Sequence, residues 1–227
     1  MSYLNEFLFG IYPYLALAVF FIGSLVRFDR DQYTWKSDSS QLLHAGQLRW
    51  GSNLFHLGIL GIFFGHLFGL LTPLAVWHAL GIEPQTKQLL AVIAGGVAGL
   101  ACLIGLALLI LRRIGEPRIR ATTKTMDMVV LILLLAQLLL GLFSITASLQ
   151  HLDGGEMVKL MQWAQHVVTF RGDAAGFVAD VAPVFKLHLV LGMTIFVVFP
   201  FSRLVHVWSG FAAVGYVVRA WQVVRSR

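Results

Sequence analysis

Cysteine occurs once in the 227-residue sequence, at Cys102. A single thiol excludes the C-x-x-C-H attachment of a c-type haem. It also excludes an iron–sulfur cluster held by this chain's own thiolates. Inside an apolar run it reads as a small core hydrophobe. Charge is scarce as well. Charged residues make up 12% of the chain and hydrophobic residues 58%, whereas soluble domains carry about 25% charged and about 45–50% apolar residues. No polar linker divides the chain, so residues 1–227 are expected to form one domain. The first apolar stretch lacks the basic flank and small-residue cleavage site of a signal peptide and reads as a retained helix.

What the chain has in quantity is long apolar runs. Five of them, at about 8–26, 54–72, 89–111, 128–149 and 187–208, can cross a hydrocarbon core of about 30 Å, which takes roughly 20 helical residues. Backbone groups in lipid have no water to bond, so these runs are expected as helices. The expectation is an all-α, integral membrane five-helix bundle. The net charge of +6 could suggest nucleic acid. Its basic residues cluster beside apolar runs, however, which fits a membrane surface instead.

Basic residues also predict the orientation. Arg27, Arg30, Lys36, Arg49, Arg112, Arg113, Arg118, Arg120, Lys124, Arg203, Arg219, Arg225 and Arg227 fall on one side. The other side holds only Lys87, Lys159, Arg171 and Lys186, although it includes the longest loop. The positive-inside rule then puts the N-terminus outside and the C-terminus inside. The long outer segment, about 150–186, is expected to contain a short helix with Asp153 as N-cap and Glu156 three residues on. Met157, Leu160, Met161, Ala164, Val167 and Val168 would share its apolar face, packed on the bundle. The tail, about 209–227, mixes apolar residues with arginines and reads as a cytoplasmic interfacial or partner-binding segment.

Eight histidines are present, and His44, His78, His151 and His166 lie in loops or near helix ends, where solvation is the default. The other four lie in or at the end of apolar runs: His56 and His66 on the second, His188 and His206 on the fifth. Polar groups at that depth are costly and mark functional sites. Imidazole is a good iron ligand, and bis-histidine ligation takes one residue from each side of a flat macrocycle. The second and fifth runs are antiparallel, which permits two level pairs, His56 with His206 and His66 with His188. Their rises differ by about 12 Å, a mismatch left to helix tilt, side-chain reach and a kink at Pro200. Eighteen residues are five whole turns, so His188 and His206 should share a face. Gly58, Gly61, Gly65, Gly69 and Gly192 either clear room for a porphyrin plane or pack helices closely. A transporter or channel that relays protons or binds a metal through its histidines remains the other class. No internal repeat and no intramembrane Asp or Glu beside the histidines supports it.

The stretches "SNLFHLGILGIFFGHLFGLLTP", "RATT", "QHLDGGEMVKLMQWAQHVVTF" and "KLHLVLGMTIFVVFPFSRLVHVWS" resemble the gamma subunit of membrane-bound respiratory nitrate reductase, over nearly the whole chain up to Trp208. The resemblance implies a cytochrome of the bacterial cytoplasmic (inner) membrane with two haems b. It implies quinol oxidation on the periplasmic side. Electrons would then pass to an iron–sulfur beta subunit and a molybdenum-containing alpha subunit on the cytoplasmic side. His56 and His206 would hold the inner haem, His66 and His188 the outer one. The family's quinol-site lysine falls on Lys87, expected in the outer loop between the second and third runs, at the mouth of the third and near Gly65 and Gly69. On the residues alone, an ordinary snorkelling lysine is the preferred account of Lys87. Arg112 and Arg203, near the inner surface, are candidate partners for haem propionates. A quinone-linked cytochrome serving another oxidoreductase stays open, because a haem site does not encode its electron acceptor.

Overall fold

The computed structural model describes residues 2–31, 45–150 and 152–209. Lys36, His44, His151 and the arginine-containing tail from Gly210 onward lie outside the described residues. Among the described residues, five helices are long and apolar enough to cross a membrane. They are α1 (Tyr3–Asp31, with a π turn at Phe7–Ile11), α2 (Ala45–Leu71), α3 (Pro84–Gly115), α4 (Thr125–Gln150) and α6 (Pro183–Val198), whose span is completed by a 3-10 turn to Phe201. A shorter helix, α5 (Gly155–Val168), lies between α4 and α6. Large apolar side chains such as Leu57, Val97 and Phe143 are exposed along these helices, as lipid contact requires.

α1 to α4 are longer than the apolar runs that predict them, because polar and charged end residues continue the same backbone hydrogen bonding. α3, for example, starts at Pro84, whose missing N–H is harmless in a first turn. α2 and α3 pack most closely. A Cβ on Gly58 would lie 2.5 Å from the Cys102 amide nitrogen, and one on Gly105 would lie 2.7 Å from Phe55 Cα. Small residues let the two backbones touch, a common device between membrane helices. Cys102 is buried at this crossing, where a larger side chain would wedge the helices apart.

The short helix expected within about 150–186 is present, with different details. Its N-cap is Gly154, at φ +82°, without a side-chain cap bond. Asp153 accepts only from the Gly155 amide, at 3.3 Å. Glu156 reaches across to the Ala182 amide (3.3 Å) instead of closing a capping box. Met161, Ala164 and Val167 are buried as the periodicity predicts, but Val168 is exposed and Trp163 is buried in its place. The reason is tertiary. Trp163 Nε1 donates to the Phe9 carbonyl in the π turn of α1 (3.0 Å), and Gln165 Nε2 donates to the carbonyls of Leu70 (2.9 Å), in the last turn of α2, and Thr72 (3.3 Å), just after it. α5 thereby roofs one end of the bundle. Beneath it lies a buried cluster that includes Phe9, Trp163, Val167, Val178 and Phe185.

The fifth run does not stay helical to residue 208. α6 ends at Val198, a 3-10 turn spans Phe199–Phe201, Ser202 is extended (φ −120°, ψ 178°), and a second 3-10 turn spans Arg203–Val205. Pro200 cannot donate back into the helix, and the Ser202 hydroxyl caps the next turn by accepting from the Leu204 amide at 3.1 Å. Five unbroken turns between His188 and His206 therefore do not exist. The path between them is re-aimed at Ser202.

Candidate functional site

α2 and α6 are not packed on one another. They stand apart, and two histidine pairs face each other across the space. The ring centres of His56 and His206 are 6.3 Å apart, with planes at 76°. Those of His66 and His188 are 6.1 Å apart, with planes at 34°. Two metal–nitrogen bonds of about 2 Å each, plus roughly 1 Å from each nitrogen to its ring centre, give about 6 Å. Both separations fit one iron between two imidazoles.

Three of the four rings are oriented by the main chain. Nδ1 donates to the Ser52 carbonyl from His56 (2.7 Å), to the Ile62 carbonyl from His66 (2.8 Å) and to the Arg203 carbonyl from His206 (2.7 Å). Such a bond selects the tautomer whose Nε2 lone pair is available to a metal. His188 differs. The Gln137 amide donates to its Nε2 at 3.2 Å, and its Nδ1 is buried without a hydrogen-bond partner. Either nitrogen of a neutral imidazole can bind a metal. Gly141 packs on this ring, since a Cβ there would lie 3.0 Å from His188 Cε1. Gln137 and Gly141 escape a search for ligand types, because an isolated amide and a glycine in an apolar run carry no distinctive spacing.

The glycines of α2 divide between their two accounts. Gly58 and Gly61 face α3, whereas a Cβ at Gly65 or Gly69 would meet nothing within 4 Å. The open pair flanks His66, where a flat group would lie. Gly192 faces the Gln137 amide at 3.2 Å, so its small size accommodates that side chain.

Lys87 is not in a loop and does not snorkel. It sits in the first turn of α3, 5% exposed. Its Nζ donates to the Gly69 carbonyl (2.8 Å) and to Met157 Sδ (3.4 Å), and lies 5.1 Å from the centre of the Trp77 ring. Gly69 is about one turn beyond His66 on α2. The ammonium is thus held beneath the α5 roof, next to the end of α2 that carries His66.

Ionic contacts dominate the opposite end. Asp127, 5% exposed in the first turn of α4, accepts from Arg203 Nε (2.7 Å) and Nη2 (2.5 Å) and from Arg113 Nη1 (3.2 Å). Arg203, read from the sequence as a propionate partner, is therefore bound to a carboxylate three residues before His206. Arg112 is buried near the end of α3. Of the remaining described histidines, His166 Nδ1 pairs with Asp173 Oδ1 at 2.6 Å, and His78 Nε2 lies 3.8 Å from Glu83 Oε2. The hydrogen bond from His166 holds the Asp173 carboxyl below the usual carboxylate range.

Comparison with known proteins agrees with this architecture. The family model described as nitrate reductase gamma subunit matches residues 5–227, so the match includes the tail beyond Trp208. The chain is 54% identical over 227 residues to the respiratory nitrate reductase 1 gamma chain of Escherichia coli (strain K12), covering 100% of both. It is 54% identical over 229 residues to the respiratory nitrate reductase 2 gamma chain of the same organism, covering 100% of this chain and 99% of the relative. It is 36% identical over 223 residues to the nitrate reductase gamma chain of Bacillus subtilis (strain 168), covering 98% and 99%. With histidines paired across two membrane helices and a match over nearly its whole length, the chain belongs to the nitrate reductase gamma subunit family, as a multi-pass membrane subunit of an oxidoreductase complex.

Proposed function

We propose that this chain oxidises quinol at the periplasmic face and passes the electrons inward, through two haems b, to the iron–sulfur beta and molybdenum alpha subunits of a respiratory nitrate reductase. The observation that carries the reading is the pair of level histidine couples between α2 and α6, with the buried Lys87 one turn beyond His66. Bound haems b supply one-electron carriers at two depths. The protein's part is to hold and orient them. The main-chain carbonyls of Ser52, Ile62 and Arg203 fix three imidazoles, and Gly65 and Gly69 leave room beside His66.

At the quinol site, Lys87 supplies an ammonium N–H that can donate to a quinol oxygen. The Gly69 carbonyl and the Trp77 ring hold that group in place. Under this reading the α5 roof faces the periplasm, and the end bearing Arg27, Arg113, Asp127 and Arg203 faces the cytoplasmic subunits. The excess of arginine and lysine on that side supports the orientation.

Quinol oxidised outside releases its protons outside, while negative charge moves inward. Each elementary charge moved against 100 mV stores about 2.3 kcal/mol. Sealed vesicles containing the purified complex, a quinol, nitrate and a voltage-sensitive dye test this. The expected result is a dye response that follows turnover. Turnover with no response across an intact seal overturns the placement of quinol at the outer face.

A further inference from the structure

We propose that Arg27 is a positioning residue for the inner haem ligand His206, acting through the broken backbone at Pro200–Ser202. The inference rests on the reading that His206 is an inner haem ligand, and it assigns a role to a residue that otherwise counts only as inner-surface charge.

The break leaves two carbonyls without their helical partners. In a continuous helix the Pro200 carbonyl would receive the Leu204 amide, and the Ser202 carbonyl would receive the His206 amide. The Ser202 hydroxyl takes the Leu204 amide (3.1 Å) instead, and the His206 amide turns to the Arg203 and Leu204 carbonyls. Unmet carbonyls in or near lipid are costly. Arg27 Nη1 donates to both, at 2.7 Å to Pro200 and 2.8 Å to Ser202.

The fit is local to this part of α1. One turn before Arg27, a Cβ on Gly23 would stand 2.9 Å from Pro200 Cγ, so α1 can approach the break only with glycine there. Phe20, a further turn back, packs edge-on against Phe199 at 4.7 Å. On the far side of Ser202, Arg203 is tied to Asp127, and its carbonyl accepts from His206 Nδ1 at 2.7 Å. The direction of the His206 ring therefore follows from a short segment gripped by Arg27 from α1 and by Asp127 from α4. The 76° angle between the His56 and His206 planes is the quantity this grip controls.

The electron paramagnetic resonance signal of a low-spin ferric haem depends on the mutual angle of its two axial imidazoles, so it reads this role directly. The whole complex is examined in membranes, as wild type, R27K and R27M. In R27M the inner haem signal is expected to shift or be lost, while the outer haem signal keeps its position. R27K, which keeps a cationic donor but not the planar guanidinium whose Nη1 reaches both carbonyls, is expected to lie between. An unmoved inner signal in R27M overturns the proposal. So does a wild-type inner signal in R27K combined with failure of R27M to assemble, because Arg27 would then serve folding alone. H206A is the control for the underlying reading: an inner haem signal that persists in H206A rejects the ligand assignment itself, whatever Arg27 does.

Discussion

His66 on α2 and His188 on α6 face each other with ring centres 6.1 Å apart and planes at 34°, while nearer the opposite end His56 and His206 repeat the separation at 76°. The two couples share a spacing and differ in angle because their backbones differ. His188 lies within a regular helix, whereas His206 follows a proline break. The first expectation is therefore pairwise loss. His66→Ala or His188→Ala removes the outer haem and leaves the inner one, and His56→Ala or His206→Ala acts first on the inner haem. Redox-resolved optical spectra of membranes check this. Loss of one and the same haem in His56→Ala and His188→Ala would falsify the pairing.

Lys87→Ala should slow quinol oxidation while both haem signals remain. A hydrogen bond from a charged group contributes about 1.5–3 kcal/mol, so the fall in quinol turnover should be roughly tenfold to a hundredfold. The rate of haem reduction by a quinol, compared with that by dithionite, isolates the step. Equal quinol kinetics in wild type and variant would return Lys87 to a packing role.

Two glycines of α2 should respond differently to the same substitution. Gly58→Ala places a methyl group 2.5 Å from the Cys102 amide nitrogen and should destabilise the chain by about 1–3 kcal/mol, as overpacking does. Gly65→Ala meets no protein atom within 4 Å, so the chain should accumulate normally, with the effect confined to the outer haem or to quinol oxidation. Membrane levels and outer haem spectra are the readouts. Equal accumulation of both variants contradicts the close α2–α3 contact.

Removing the carboxylate in Asp127→Ala leaves Arg113 and Arg203 without their shared anion. Breaking one side of a buried ion pair costs about 3–5 kcal/mol. Here the side chains of Arg113 and Arg203 keep 15% and 25% exposure, so the loss should lie towards the lower end. Thermal denaturation of the detergent-solubilised complex measures it. A melting temperature equal to that of the wild type would show that water or a partner subunit replaces the pair without loss.

Much of the molecule is written in one-dimensional terms. Apolar length and charge scarcity determine five membrane helices, because lipid penalises unsatisfied backbone groups wherever the neighbours lie. Four histidines on two antiparallel runs determine which partners can be level, because helix direction alternates from span to span. Tertiary structure decided what depends on cross-chain contact. The sequence shows Pro200 but not that Ser202 is extended, since that conformation is held by Arg27 reaching from α1. It shows Lys87 as a cation at a helix mouth, but not its burial, which comes from the Gly69 carbonyl and from Met157 of α5. It shows Gly58, Gly61, Gly65 and Gly69 recurring along α2, but only the approach of α3 separates the first two, which pack, from the last two, which stay open. Periodicity records which face of one helix is apolar, whereas the partner that covers it is set by the free energy of the whole packed chain.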